Sequence, residues 1–344
     1  MEILDRRFFV SDCEGPISIN DNAFELSSYF IDDGDKFFEI ISKYDDILVD
    51  VVERPGYNAG GTLKFILPFL KAYGATNDNI KSFSEENMLL IPGALDTLQY
   101  VYCIMPSFIV STSYQHYIRA LCDSTGFPYE NTYSTKLDID KYILSSEEKI
   151  RLMEIRGEII DNPEFENLDR IFWEEIPKMS IGRIIDDINP IGGEGKKKAL
   201  KDIISRFKFK ASDLAYVGDS ITDVQPLRLA HEGGGLAVSF NGNEYAVKEA
   251  EIVIMADNTL MISIITDLFN KTGKNGVMEF ISIFVDDPQL ALYNYPVDPQ
   301  LTLKFPSMSN SRILIVDSDN LDELEEESLK YRKKVRGDVI GGLG

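Results

Sequence analysis

The sequence is short of histidine, cysteine and positive charge, and each shortage narrows what the chain can do. Only His116 and His231 are present, which argues against histidine-based triads and multi-histidine metal sites. Cys13, Cys103 and Cys122 form a sparse, odd-numbered set with no CxxC pair. That argues against a disulfide framework or a zinc site and fits a reducing compartment. Lys and Arg number 35 against 57 Asp and Glu, a formal net charge of −22. Such a surface repels phosphate backbones and anionic lipid, so neither a nucleic acid nor a membrane is an expected partner. No run approaches the roughly 18 apolar residues of a membrane span. The N-terminus lacks the apolar core of a signal peptide, and a cytoplasmic location is expected. There is no internal repeat and no low-complexity linker.

What is present is ample material for a packed interior. The 344 residues are 44% hydrophobic and 11% aromatic. That length predicts one large domain with a sizeable insertion, or two domains. Residues 6–12 (RRFFVSD) read as a short buried strand ending on an acid. From about 17 to 90, apolar residues recur at helical spacing, with helix starts at Asn20–Asp21 and Asp32–Asp33. Pro92–Gly93 precede a helix, SFIVST (107–112) is a compact strand, and SYQHYIRALCDSTG is a helix closed by Gly126. A second variable stretch, about 133–192, is charged and contains the only tryptophan, Trp173. Thereafter KKKALKDIISRF (196–207) and DVQPLRLAHEGG read as helices. LAYVGD (214–219), GLAVSF (235–240) and AEIVIM (250–255) read as strands. Short apolar strands alternating with helices predict an α/β fold with a parallel sheet between helices. In the final part, NTLMISIITDLFNKTG reads as a helix and LDELEEESLKYRKKVRG as a solvated one.

Reactive residues fall at the ends of three predicted strands, where open α/β sheets bind ligands. FFVSDCEG ends on Asp12 and Glu14, FIVSTS on Ser111 and Thr112, and LAYVGDSITD on Asp219 followed by Asp223. Phosphoryl transfer through an aspartate needs a carboxylate nucleophile and a second acid serving the leaving oxygen and then water. It also needs a divalent cation on oxygen ligands, and a hydroxyl and a cationic side chain for the phosphoryl oxygens. Asp12, Glu14, Asp219, Asp223, Ser111 and Lys196 make up that inventory.

The order D-x-E-G, hhhS-T, Lys, G-D-S-x-x-D resembles the four motifs of the haloacid dehalogenase (HAD) superfamily, nearest its phosphoserine-phosphatase-like branch. Lys196 precedes Asp219 by 23 positions, as in that branch. PGALDTLQYVYCIMPSFIVSTSYQHYIRAL and GLAVSFNGNEYAVKEAEIVI are similar to its second motif and closing strand region. The resemblance implies a HAD-like Rossmannoid core over 1–16 and 92–265, with a second insertion at about 133–192. It implies a helical cap over 17–91 that selects substrate, and leaves 266–344 as a C-terminal extension. It also implies Mg²⁺ as cofactor and roles for the site residues. Asp12 is the nucleophile and Glu14 the general acid/base whose carbonyl meets the metal. Ser111, with Thr112 as competitor, and Lys196 hold the phosphoryl group. Asp219 and Asp223 complete the metal ligands. The implied activity is phosphatase or phosphotransferase chemistry on a small phosphorylated metabolite. The alternatives are a phosphomutase or a catalytically quiet subunit, with a homo-oligomer or protein partner open. Glu14 stands where Asp is commoner, Pro16 where Thr or Val is usual, and Thr222 where phosphoserine phosphatases carry Asn. SDCEGPISINDNAFELSSYFI and ERPGYNAGGTLKFILPFLKAYG also resemble an archaeal phosphatase-like group labelled energy-converting hydrogenase A subunit R, which implies an archaeal source.

Among other residues, Cys13 reads as a small core residue and His116 as structural. Arg54 is a surface arginine or a cap residue meeting an anionic substrate.

Overall fold

A computed structural model describes residues 7–305 and 311–343. The readings that touch Arg6 and Gly344 lie outside them. The strands are β1 (Phe8–Ser11), β2 (Ser107–Tyr114), β3 (Thr132–Thr135), β4 (Leu214–Gly218), β5 (Leu236–Phe240), β6 (Ile252–Met255) and β7 (Arg312–Ile315). They form one sheet in the order β3-β2-β1-β4-β5-β6-β7. All neighbours pair in parallel except β6 and β7, which are antiparallel. The inner strands are apolar on both faces because helices cover both. Phe9, Ile109 and Val217 join the apolar core on one face, Phe8, Val10 and Tyr216 that on the other. This is the period of two expected of a pleated strand.

The helices that matter for the site run in order along the chain. They are α1 (Asn22–Phe30), α2 (Gly34–Asp50), α3 (Ala94–Ile104), α4 (Gln115–Thr125), α5 (Ser146–Asp161), α6 (Glu194–Phe207), α7 (Val224–Glu232), α8 (Leu260–Phe284) and α9 (Leu321–Arg336). Local chemistry sets several boundaries. The Asp21 side chain accepts from the Phe24 amide and caps α1, and Ser145 and Glu148 form a capping box on α5. Gly126, at φ 75°, closes α4 in the left-handed region.

Residues from about 23 to 80 and from about 137 to 188 bury their apolar side chains in one shared core. The rings of Phe65 and Phe172, one from each stretch, lie 4.5 Å apart between centroids. Trp173 donates its Nε1–H to the Tyr44 hydroxyl at 2.8 Å. Arg54 stacks 3.9 Å above the Trp173 ring and pairs with Asp169 at 2.5 Å. Arg54 therefore ties the second variable stretch to the first.

Two sequence readings need correcting, those of 132–135 and α9, and the segment after 265, which the sequence left unplaced, finds its place. Residues 132–135, partly inside the expected second insertion, form edge strand β3, because Thr132–Thr135 pair with β2. The segment after 265 is part of the core: α8 packs under the sheet, and β7 adds a strand to its far edge. The expected solvated helix α9 has a buried stripe at four-residue spacing: Leu324, Ser328, Arg332 and Arg336. Its many charges mask that stripe.

Candidate active site

The loops after β1, β2 and β4 converge where the strand order reverses, with β2 on one side of β1 and β4 on the other. The Asp12 amide donates to the Val217 carbonyl at 2.9 Å, fixing the residue at the end of β1. Its Oδ1 accepts from the Cys13 amide at 2.6 Å, and its Oδ2 from Lys196 Nζ at 2.6 Å. Burial pushes the Asp12 carboxyl up to about 7, with Lys196 opposing.

Lys196 lies in the first turn of α6 and is fully buried, whereas Lys197 is half-buried beside Glu194 and Lys198 is exposed. Its Nζ also donates to Asp223 at 2.7 Å. Burial alone would depress the ammonium, but Asp12 and Asp223 outweigh it and keep it charged. Asp223 is filled by donors: Lys196 and the Tyr216 hydroxyl on Oδ1, the Asp219 and Ser220 amides and the Ser220 hydroxyl on Oδ2. So saturated a carboxylate organises the loop and holds Lys196 in place.

Two glycines permit this density. A Cβ on Gly15, at φ 106°, would sit 2.0 Å from Asp219 Oδ2; one on Gly218 would sit 2.5 Å from Asp223 Cγ. The D-x-E-G and G-D-S loops therefore need glycine for close approach.

Glu14 Oε1 accepts from the Asn22 amide at 2.7 Å. Burial, reinforced by Asp21, holds the Glu14 carboxyl well above the usual carboxylate range. Ser111 is buried, with its Oγ 2.9 Å from Ser113 Oγ. Thr112 Oγ1 is buried without a hydrogen-bond partner. Both line a cavity of about 100 Å³ with Asp12, Glu14 and Asp219. A larger groove of about 920 Å³, lined by Tyr100 and Leu301 among others, shares no residue with it.

Residues of the 45–63 segment line this cavity from the side opposite the strand ends. Asp45 in α2 accepts from the Tyr57 hydroxyl and from the amides of Gly60 and Thr62. That loop lies directly on the core, since a Cβ on Gly60 would stand 2.9 Å from Thr112 Cγ2.

The sequence reading missed Arg332 and Arg336. Arg332 NH1 donates to Asp219 Oδ2 and, at 3.1 Å, to its carbonyl. Arg336 NH1 reaches the same Oδ2 at 3.2 Å, while its Nε and NH2 donate to the Ile19 and Asn20 carbonyls. Two arginines at i,i+4, in line with Leu324 and Ser328, were the available signal. The other Asp219 oxygen, Oδ1, is buried without a partner. Asp12, Asp219 and Asp223 each place a carboxylate oxygen within 4.8 Å of the others. An all-oxygen set around an unpartnered carboxylate oxygen fits a hard divalent cation.

The remaining sequence candidates lie outside this chemistry. Burial and nearby acids push the Cys13 thiol up, leaving it inert. His116 is on α4, and its side chain does not line the cavity.

No family model and no curated protein sequence matches the chain. Among solved structures, it is similar to a gene product of Archaeoglobus fulgidus at 27% identity, TM-score 0.85, over 98% of this chain and 99% of that one. It is also similar to a substrate-bound phosphoserine phosphatase at 13% identity, TM-score 0.51, over 75% of this chain and 96% of that one.

Proposed function

We propose that this chain, which has the haloacid dehalogenase fold in its phosphoserine-phosphatase-like form, is a phosphatase acting on a small phosphomonoester through Asp12. The observation that carries this reading is the buried triad of Asp12, Lys196 and Asp223, with Lys196 Nζ 2.6 Å from Asp12. Beside it lie a half-buried Glu14 and the unpartnered Oδ1 of Asp219.

In this mechanism an Asp12 oxygen attacks phosphorus, and the bond from phosphorus to the ester oxygen breaks. Glu14, whose carboxyl burial raises well above the usual range, gives its proton to the departing alkoxide. Lys196 neutralises charge on the transferring group, and the hydroxyls of Ser111 and Thr112 lie beside it to donate. Water then attacks the aspartyl-phosphate and passes a proton to Glu14. Inorganic phosphate departs and the Asp12 carboxylate is restored. Asp219 and Asp12 would hold Mg²⁺, with Asp223 behind them. Bound there, the ion would supply charge neutralisation between nucleophile and phosphate. The cavity of about 100 Å³ limits room to a phosphoryl-sized group, so a substrate of ordinary size enters through movement of the segment lying over it.

A catalytically quiet role is favoured by one observation, the two arginines seated on Asp219 Oδ2. The free Oδ1 on the same carboxylate weighs against it. Hydrolysis of an aryl phosphate, measured with Mg²⁺ and with EDTA, separates the readings. Turnover with Mg²⁺ only, falling by about 10⁴-fold or more in Asp12→Asn, is expected. No turnover on a broad panel of phosphomonoesters would abandon the phosphatase reading.

A further inference from the structure

The two α9 arginines are the part of the site that the phosphoryl-transfer reading leaves unused. Both are buried, Arg332 at 2% and Arg336 at 8% exposure, and both converge on the carboxylate offered to a cation. They bring two positive charges to the lining of the cavity, whereas Lys196 lies behind it, engaged by Asp12 and Asp223. Arg332 Nε is buried without a partner, so one guanidinium donor remains unspent.

Charge placed this close to a buried ligand acts on everything that binds beside it, with little solvent to screen it. A divalent cation arriving alone meets a site whose carboxylates are already partly neutralised. A phosphate dianion arriving alone meets the two arginines, but also Asp12, Asp21, Asp45, Asp46 and Asp219. Together, cation and dianion cancel each other's charge in the cavity.

We propose that Arg332 and Arg336 make cation and phosphate binding mutually dependent: they weaken the cation bound alone and strengthen it when phosphate is present. The inference rests on the phosphoryl-transfer reading for its phosphate half only. Its cation half follows from the arginines' positions. Orientation is a smaller effect than charge here, because Asp219 keeps other anchors. Its amide donates to Asp223 at 3.0 Å, its carbonyl accepts from the Asn243 amide at 2.9 Å, and its side chain lies against Gly15.

Calorimetric titration of the intact protein with Mg²⁺, in the absence and presence of inorganic phosphate, tests this. For wild type, phosphate is expected to tighten Mg²⁺ by about 10-fold, within the ordinary 5–150-fold range of coupling between sites. Arg332→Gln is expected to bind Mg²⁺ alone about 10-fold more tightly and to lose most of the coupling. Arg332→Lys keeps the charge and loses the fork, so it should titrate as wild type does; it also guards against a Gln variant that fails to fold. Equal or weaker Mg²⁺ binding by Arg332→Gln in the absence of phosphate would overturn the inference and leave the phosphatase reading standing. So would Arg332→Lys behaving like a folded Arg332→Gln. Wild type that binds Mg²⁺ but never phosphate would overturn the phosphate half together with the phosphatase reading.

Discussion

Glu14 carries two demands in one side chain. The proposed general-acid role needs a carboxyl that keeps its proton, and burial, then Asp21, raise Glu14 well above the usual carboxylate range. As a longer acid than Asp it is steadied by the Asn22 amide, the first residue of α1. Glu14 is therefore held by the first turn of α1. Glu14→Gln should lower kcat by roughly 10²–10⁴-fold on alkyl phosphates, whose leaving groups need a proton, and less on aryl phosphates. An equal loss on both, measured by steady-state kinetics, would remove Glu14 from protonating the leaving group. Glu25 offers a separate test of burial. It is pushed up to about 7 by desolvation, although Asn20 Nδ2 donates to its Oε1 at 2.7 Å. A carboxyl raised in the folded state gives stability that is whole below its ordinary value of 4.5 and is lost as pH rises through about 7. Glu25→Gln should therefore raise the melting temperature above pH 7 relative to wild type, with the difference shrinking as pH falls toward 4.5.

At the scale of elements, the strands that carry the chemistry were legible because each has a local signature. β1, β2 and β4 are short apolar runs that end on acids or hydroxyls, and α6 begins with the lysine that reaches them. Lys196 was distinguishable from Lys197 and Lys198 by spacing, and burial now separates the three. Elements defined by their partners were not legible. β3, with the sequence TYST, is a strand because β2 offers an edge, and β7 because β6 does. In α9 the charges at i,i+4 suggested a solvated surface. Yet the same spacing aligns Arg332 and Arg336 on the buried face. What makes that face a site lies on other elements: the Asp219 carboxylate, the Ile19 and Asn20 carbonyls, and the apolar side chains Val247, Val253 and Met255 that receive Leu324. Arg54 turned the other way. In sequence it was a surface arginine or a substrate contact; it holds Trp173 and Asp169.

The whole molecule is acidic, and its site concentrates positive charge against that background. Lys196, Arg332 and Arg336 are buried among carboxylates while the outer surface carries the excess of acid. Among the described residues no helix is long and apolar enough to cross a membrane. Two distant stretches of chain share one core, with Phe172 packed among Phe65, Phe69 and Tyr44. Phe172→Ala should cost about 3–5 kcal/mol. Hydrogen exchange should then show both stretches losing protection together; loss confined to residues near 172 would contradict a shared core.

The claim on which the function rests is that Asp12 carries the phosphoryl group. Acid-quenching the enzyme during turnover of an aryl phosphate, then mapping peptides by mass spectrometry, tests it directly. The account predicts a phosphoryl adduct on the peptide containing Asp12, removed by mild base and missing from Asp12→Asn. Steady turnover with no adduct at Asp12, sustained in Asp12→Asn, would contradict it.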